Sequence, residues 1–250
     1  MSDNSTAAAR NPSKARKAFI PLECNPEVLT TLVHKLGLST NLSFHDVYSI
    51  DEPELLAFVP RPALALLLVF PVTKTYEELK RAEDADKPEY NGSGDEEPVI
   101  WFKQTIKNAC GMFGVLHGVC NGAARSAIGL DTELAKLLET AIPLKPADRA
   151  ALVESYDSIA SAHQSAATEG SSEVPDAEAD VDLHYICFVK SLKNNHLYEL
   201  DGGRKGPLDR GDLGPDDVLS KKALKVVKNF IERERGNLKF SIVALAPSFE

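Results

Sequence analysis

The sequence has no long hydrophobic run, few cysteines and no surplus of basic residues, and each lack excludes something. The longest apolar run is Ala63 to Phe70, ALALLLVF. A run of that length suits a buried strand, whereas a membrane-spanning helix needs about 20 apolar residues. The opening MSDNSTAAARNPSKARK carries basic side chains but no apolar core, so it does not read as a secretory signal. Asp3 and the lack of amphipathic spacing argue against a transit peptide, and a disordered tail is expected over residues 1–17. Four cysteines (Cys24, Cys110, Cys120 and Cys187) are too few for a disulfide scaffold in 250 residues, and none stands in a CxxC or a Cys/His pair at zinc-ligand spacing. A reduced chain in the cytoplasm or nucleus is expected, with no metal and no cofactor. The net charge of −9 disfavours nucleic acid as a partner and favours a basic protein or peptide.

What is present is an ordinary globular composition, 43% apolar and 26% charged. ECNPEVLTTLVHKLG is a punctuated helix: Asn25 can cap it, Pro26 suits its first turn, Gly37 suits its stop, and Val28, Leu29, Leu32, Val33 and Leu36 form one apolar stripe. LSFHDVYSI reads as a short strand, PELLAFVPRP as a brief helix and LALLLVFPV as a central strand, with a helix over Glu77–Ala85. EDADKPEYNGSGDEEP is an acidic loop. Asn108 or Ala109 to Ala124 reads as a buried helix whose glycines allow close packing. DTELAKLLETAI and PADRAALVESYDSIASAH read as two more. His163 to Asp182 has no large apolar residue, so it reads as a long interior loop, which in a compact domain is often a functional lid. LHYICFVK and HLYEL read as two strands around a polar turn. PDDVLSKKALKVVKNFIERERG reads as an amphipathic helix with a Gly stop, and LKFSIVALAP as a last strand tied into the sheet. No repeat or linker divides the chain, so one α+β domain is expected.

Chemistry concentrates on QTIKNACGMFGVLHGVCNGAA. Cys110 stands where the buried helix begins, and at a helix mouth unsatisfied N–H groups and the positive end of the helix dipole favour thiolate over thiol. The bland alternative is a small packed hydrophobe. A cysteine nucleophile needs a base. Of the six histidines, His34 lies on the first helix, His45 in a strand, His117 two turns beyond Cys110 (about 10 Å along the axis), His163 at the edge of the long loop and His196 beside a turn. His184 opens a strand directly after that loop, and the next strand ends in Asp201. A turn centred on Lys193–Asn194 would place Asp201 opposite Ile186, roughly 7 Å from His184 along the sheet. A turn on Asn194–Asn195 would place it opposite Phe188, roughly 13 Å away. In the first register the carboxylate can fix the imidazole tautomer. Gln104, six residues before Cys110, could supply an oxyanion donor together with the Cys110 backbone N–H. A plain surface Gln is the competing reading.

Gln104-Thr-Ile-Lys-Asn-Ala-Cys110-Gly, Leu183-His184-Tyr and His196-Leu-Tyr-Glu-Leu-Asp201-Gly, in that order, closely resemble the ubiquitin C-terminal hydrolases (peptidase C12), with PLECNPEVLTTLVHKLG, VPRP and KFSIVALAP in support. The resemblance covers roughly residues 18–250 and is nearest to the small single-domain members. It implies a papain-like cysteine-protease core: a central antiparallel sheet flanked by helices, with a knotted backbone. It further implies a deubiquitinating thiol hydrolase that cleaves small adducts or peptides from the C-terminal Gly of ubiquitin through a thioester. In that role Cys110 is the nucleophile, His184 the general base and acid, Asp201 its orienter and Gln104 the oxyanion donor. Residues 163–182 correspond to the crossover loop over the active site. Glu23, Glu27 and Asp46 fall at positions resembling the family's acidic contacts for ubiquitin, whose tail resembles RLRGG. The implied partner is ubiquitin, with no nucleic acid and no membrane, and the protein is expected to act as a monomer. A hydrolase for a ubiquitin-like modifier and a non-catalytic ubiquitin-binding module are the alternatives. The span from His184 to Asp201 is two residues longer than the small members suggest, and Lys107 stands where a Gly is common.

Overall fold

The computed structural model describes residues 17–170, 175–177, 179, 181–233 and 239–249. The tail expected over residues 1–17 lies almost wholly outside the described residues, as does the Gly stop expected after the C-terminal helix.

The helices are α1 (Pro26–Leu36), α2 (Pro53–Leu56), α3 (Lys74–Asp84), α4 (Cys110–Val119), α5 (Glu133–Ala141), α6 (Pro146–Ser155), α7 (Asp157–Glu169) and α8 (Lys221–Arg233). The strands are β1 (Leu42–Asp46), β2 (Ala65–Pro71), β3 (Leu183–Lys190), β4 (His196–Leu200), β5 (Leu208–Asp212) and β6 (Ser241–Pro247). All pair antiparallel, in the order β1-β6-β2-β3-β4-β5.

The strands alternate their side chains between two cores. Ala65, Leu67, Cys187 and Val189 join α1, α4, α5 and α7 on one face, while Leu66, Leu68, Ile186 and Phe188 join Val227 and Phe230 of α8 on the other. Every residue of β2 is buried, as its unbroken apolar run requires. α1 matches its sequence signals: Asn25 Oδ1 accepts from Glu27 N–H at 2.9 Å, Gly37 ends the helix at φ 108°, and all five stripe residues are buried. On α4, a Cβ at Gly118 would stand 3.2 Å from Ala65 Cβ, so the missing side chain lets the helix lie close to the sheet.

Three expectations are corrected, and one strand is wholly unexpected. PADRAALVESYDSIASAH is two helices, because Tyr156 takes extended angles (φ −87°, ψ 95°) and separates α6 from α7. α7 then runs to Glu169, so residues 163–169 are helical rather than loop, and His163 is buried with its Nε2 donating to Ile20 O at 2.6 Å. α8 starts at Lys221, later than its sequence pattern suggests, with Ser220 Oγ accepting from Ala223 N–H. LDRGD forms the edge strand β5, a short polar segment interrupted by Gly211 at φ 99°, which no apolar alternation announces.

The acidic loop over residues 83–98 is partly a structural clamp. Arg149, fully buried, pairs with Glu97 and donates from Nε to Ala141 O at 2.8 Å, and Tyr90 O–H donates to Glu97 at 2.8 Å. At the other end, Arg204 pairs with Asp84 at 2.7 Å and Glu83 at 2.8 Å, joining α3 to the segment after β4.

Candidate active site

Cys110 is the first residue of α4. Ala109, the residue before it, offers no side chain to cap the helix amides, so they stay open around the sulfur. A parallel bridge between Ala18 and Lys107, with Phe19 N–H donating to Lys107 O at 2.9 Å, holds the approach to the helix. Asn108 adopts φ 57°, a left-handed conformation Asn tolerates, and its Nδ2 donates to Ala177 O at 2.9 Å and Ala179 O at 2.8 Å.

β3 and β4 pair Cys187 with Leu200 and Lys190 with Leu197, which is the register centred on Lys193–Asn194. Asp201 follows directly, one step beyond Leu200, so it falls opposite Ile186. The imidazole reaches across: His184 Nε2 donates to Asp201 Oδ1 at 2.7 Å. Its other nitrogen, Nδ1, is thereby left for Cys110, which is near enough to act on the ring's charge and whose thiol stands 4.0 Å from Leu183 O.

Burial disfavours the charged form of His184, but the Asp201 carboxylate and the neighbouring Cys110 outweigh it and push the imidazole up to about 10 from 6.5. Asp201 is fully buried. Burial alone would raise it, yet His184, the Gly203 N–H at 2.7 Å and the Tyr76 O–H at 2.8 Å hold it well below the usual carboxylate range. Trp101 Nε1 donates to Asp201 O at 3.1 Å and fixes its backbone.

Gln104 joins the site from the side of Asp201. Its N–H donates to Gly202 O at 2.8 Å, and a Cβ at Gly202 would stand 2.9 Å from Gln104 Cβ, so this contact requires glycine. The Gln104 amide donates to Ile106 O at 3.1 Å.

The other histidines are committed elsewhere. His34 and His45 bond Leu42 O and Pro247 O, and His196 bonds Asp209. His117 accepts from Phe102 N–H at 3.0 Å, and burial pushes both it and His163 down to about 4. Cys24, Cys120 and Cys187 are free thiols raised by burial, Cys24 and Cys120 to about 12.

Glu23, Glu27 and Asp46 come together. They line one open groove of about 1210 Å³ with the exposed aromatics Tyr48, Phe58 and Phe249. A second cavity of about 360 Å³ is lined by Glu23, Cys24, Asn108 and Cys110, so the acidic groove leads to the thiol through Glu23 and Cys24. Burial raises Asp46 above its ordinary value. Tyr76 is the residue sequence reasoning missed: it sits on a polar helix, and nothing in TYEELK marks its hydroxyl as bound to a carboxylate beyond β4. Among the described residues no cluster of His, Cys, Asp or Glu could hold a metal ion, and no helix is long and apolar enough to cross a membrane.

The sequence model of ubiquitin carboxyl-terminal hydrolase, family 1, matches residues 19–232. The ubiquitin carboxyl-terminal hydrolase YUH1 of Saccharomyces cerevisiae is 35% identical over 246 residues, covering 95% of this chain and 100% of that protein. The human ubiquitin carboxyl-terminal hydrolase isozyme L1 is 37% identical over 225 residues, covering 90% of this chain and 96% of its own. The catalytic domain of Trichinella spiralis UCH37, solved bound to ubiquitin vinyl methyl ester, superposes with a TM-score of 0.72 at 21% identity over 94% of this chain and 98% of that one. This last likeness is one of fold.

Proposed function

Because the chain belongs to ubiquitin carboxyl-terminal hydrolase family 1, we propose that Cys110, His184, Asp201 and Gln104 carry out its reaction on the last glycine of ubiquitin. The protein is a cysteine-type deubiquitinating hydrolase, and ubiquitin is its partner. The observation that carries the residue assignment is the 2.7 Å bond from Asp201 to His184, whose imidazole in turn feels the charge of Cys110 at the mouth of α4.

Chemistry follows from that geometry. The Cys110 thiolate attacks the glycine carbonyl, and the oxyanion is met by the Cys110 backbone N–H and the Gln104 amide, which must turn from Ile106 O to reach it. The His184 imidazolium gives its Nδ1 proton to the leaving nitrogen as the C–N bond breaks, leaving a thioester on Cys110 and a neutral imidazole. That imidazole then takes a proton from water as the oxygen attacks the thioester. The C–S bond breaks, ubiquitin leaves with a free carboxylate, and the thiolate–imidazolium pair is restored. Asp201 keeps its charge throughout and holds the ring.

The acidic groove formed by Glu23, Glu27 and Asp46 suits the arginines of the ubiquitin tail, which carboxylates can bind bidentately. Ala177 and Ala179, whose carbonyls are tied to Asn108 beside the nucleophile, belong to the crossover loop, which restricts the leaving group to small adducts and peptides. Residues 18–250 act as one catalytic domain. The four unpaired thiols favour the cytoplasm, with the nucleus also accessible.

Covalent capture tests the assignment. Ubiquitin vinyl methyl ester should form one adduct at Cys110, read by peptide mass spectrometry, and Cys110→Ala should abolish it. An adduct on Cys24, Cys120 or Cys187, or one that persists in Cys110→Ala, would overturn the assignment.

A further inference from the structure

Asp201 is bound on both oxygens. Oδ1 accepts from His184 Nε2 and Gly203 N–H, each at 2.7 Å, and Oδ2 accepts from the Tyr76 hydroxyl at 2.8 Å. Tyr76 is buried on α3, an otherwise polar helix, with its ring edge-on to Phe70 at 4.7 Å. Anchors that do not involve Asp201 hold that helix in place. Thr73 Oγ1 accepts from Tyr76 N–H at 3.0 Å at its start, and Arg204 grips Asp84 and Glu83 at its end. The phenol therefore meets Asp201 from a fixed position.

The charged and titratable groups around this carboxylate come from several elements. His184 faces it from β3 and Tyr76 from α3. Glu199 precedes it on β4, Arg204 follows it, and His117 acts on it from α4. The Lys80 ammonium lies 5.4 Å over the Tyr76 ring and is paired with Glu77. Among the described residues only Tyr76 donates a hydrogen bond to Oδ2. A carboxylate bound on both oxygens cannot rotate without breaking a bond, whereas one bound through Oδ1 alone can swing and carry the imidazole with it.

We propose that Tyr76 is a positioning residue for the hydrolysis: its hydroxyl locks the Asp201 carboxylate in the orientation that aims His184 at Cys110, and draws negative charge away from the oxygen facing the imidazole. This rests on the assignment of Cys110, His184 and Asp201 to the reaction.

The test is Tyr76→Phe, which keeps the ring and its packing on Phe70 and removes only the hydroxyl. With a fluorogenic ubiquitin amide, kcat should fall about tenfold, on the scale of one hydrogen bond to a charged group, while KM holds. The alkaline limb of the pH–rate profile should move upward, because the unshared carboxylate charge holds the imidazolium more tightly. Unchanged kcat with an unmoved limb would overturn the proposal. So would a loss of activity that follows a fall in melting temperature while the limb stays put, since that marks a structural role only. Cys110→Ala is measured in parallel. If it silences hydrolysis and Tyr76→Phe is neutral, the Tyr76 proposal alone fails. If hydrolysis persists in Cys110→Ala, the site assignment fails and the Tyr76 proposal with it.

Discussion

His184 Nε2 lies 2.7 Å from Asp201 Oδ1, although the two residues belong to different arms of a hairpin and are 17 positions apart. The pairing depends on the turn centre. Cys187 faces Leu200, and a shift of the turn by one residue would carry the carboxylate roughly 7 Å further along β3.

The first prediction concerns pH. His184 is pushed up to about 10 from 6.5 by Asp201 and Cys110 against the opposing effect of burial, so the stabilisation from its pairing is complete below pH 6.5 and is lost as pH rises through about 10. Asp201 is depressed below 3.8, so its contribution is present above pH 3.8 and is lost as pH falls through its folded value. Both are in force between 3.8 and 6.5. With His184 as the general acid proposed above, kcat/KM should decline on an alkaline limb near pH 10 as its imidazolium deprotonates. Asp201→Asn removes the negative charge and should move that limb down by about one unit or more. A limb that ignores this substitution would separate Asp201 from the titration of His184.

Thiol reactivity gives a second check. Burial raises Cys24, Cys120 and Cys187, with Asp46 and Glu23 adding to the effect at Cys24. Cys110 lines an open cavity beside an imidazole. Substoichiometric iodoacetamide at pH 7 should therefore alkylate Cys110 first, as read by peptide mass spectrometry. Earlier labelling of any other cysteine would contradict the picture.

Leaving-group size should respond to Asn108. Asn108→Gly accommodates φ 57° and removes both amide bonds to Ala177 O and Ala179 O. Ubiquitin fusions with folded partners should gain in kcat/KM relative to a small ubiquitin amide. An unchanged ratio would mean that these bonds do not restrict passage.

Stability should depend on the Arg149–Glu97 pair, whose side chains are 0% and 7% exposed. Arg149→Ala strands a buried carboxylate and should cost about 3–5 kcal/mol in urea unfolding. Lys136→Ala, at a solvent-exposed pair with Glu133, should leave the urea midpoint unchanged. Equal effects at the two sites would refute the distinction.

Much of this was legible beforehand, for physical reasons that can be named. Asn25, Pro26 and Gly37 act within one helix, so their spacing reports local geometry directly. The Ala63–Phe70 run has no polar face and becomes an inner strand. Cys110 shows its place by standing before an apolar helical run, and Asp201 by ending a strand beside His184. The rest depends on contacts distant in sequence. Tyr76 meets Asp201 across 125 positions and Arg149 meets Glu97 across 52, and no local pattern records either. The break at Tyr156 lacks a Gly or Pro, so the helical periodicity reads straight through it. β5 is held by its pairing with β4 and by Arg210 between Glu83 and Glu199, not by apolar alternation. Lys107 sits in the bridge with Ala18, where its backbone rather than its side chain makes the contact.

β6 lies between β1 and β2, and it is the last of the six strands to be made. Until Ser241–Pro247 has left the ribosome, the strand bearing Asp46 has no partner through which to join the strands bearing His184, and the edges of β1 and β2 that will accept β6 stand open. A growing chain therefore cannot join the acidic groove around Asp46 to the strands that carry His184 and Asp201 until β6 has paired with both of its neighbours.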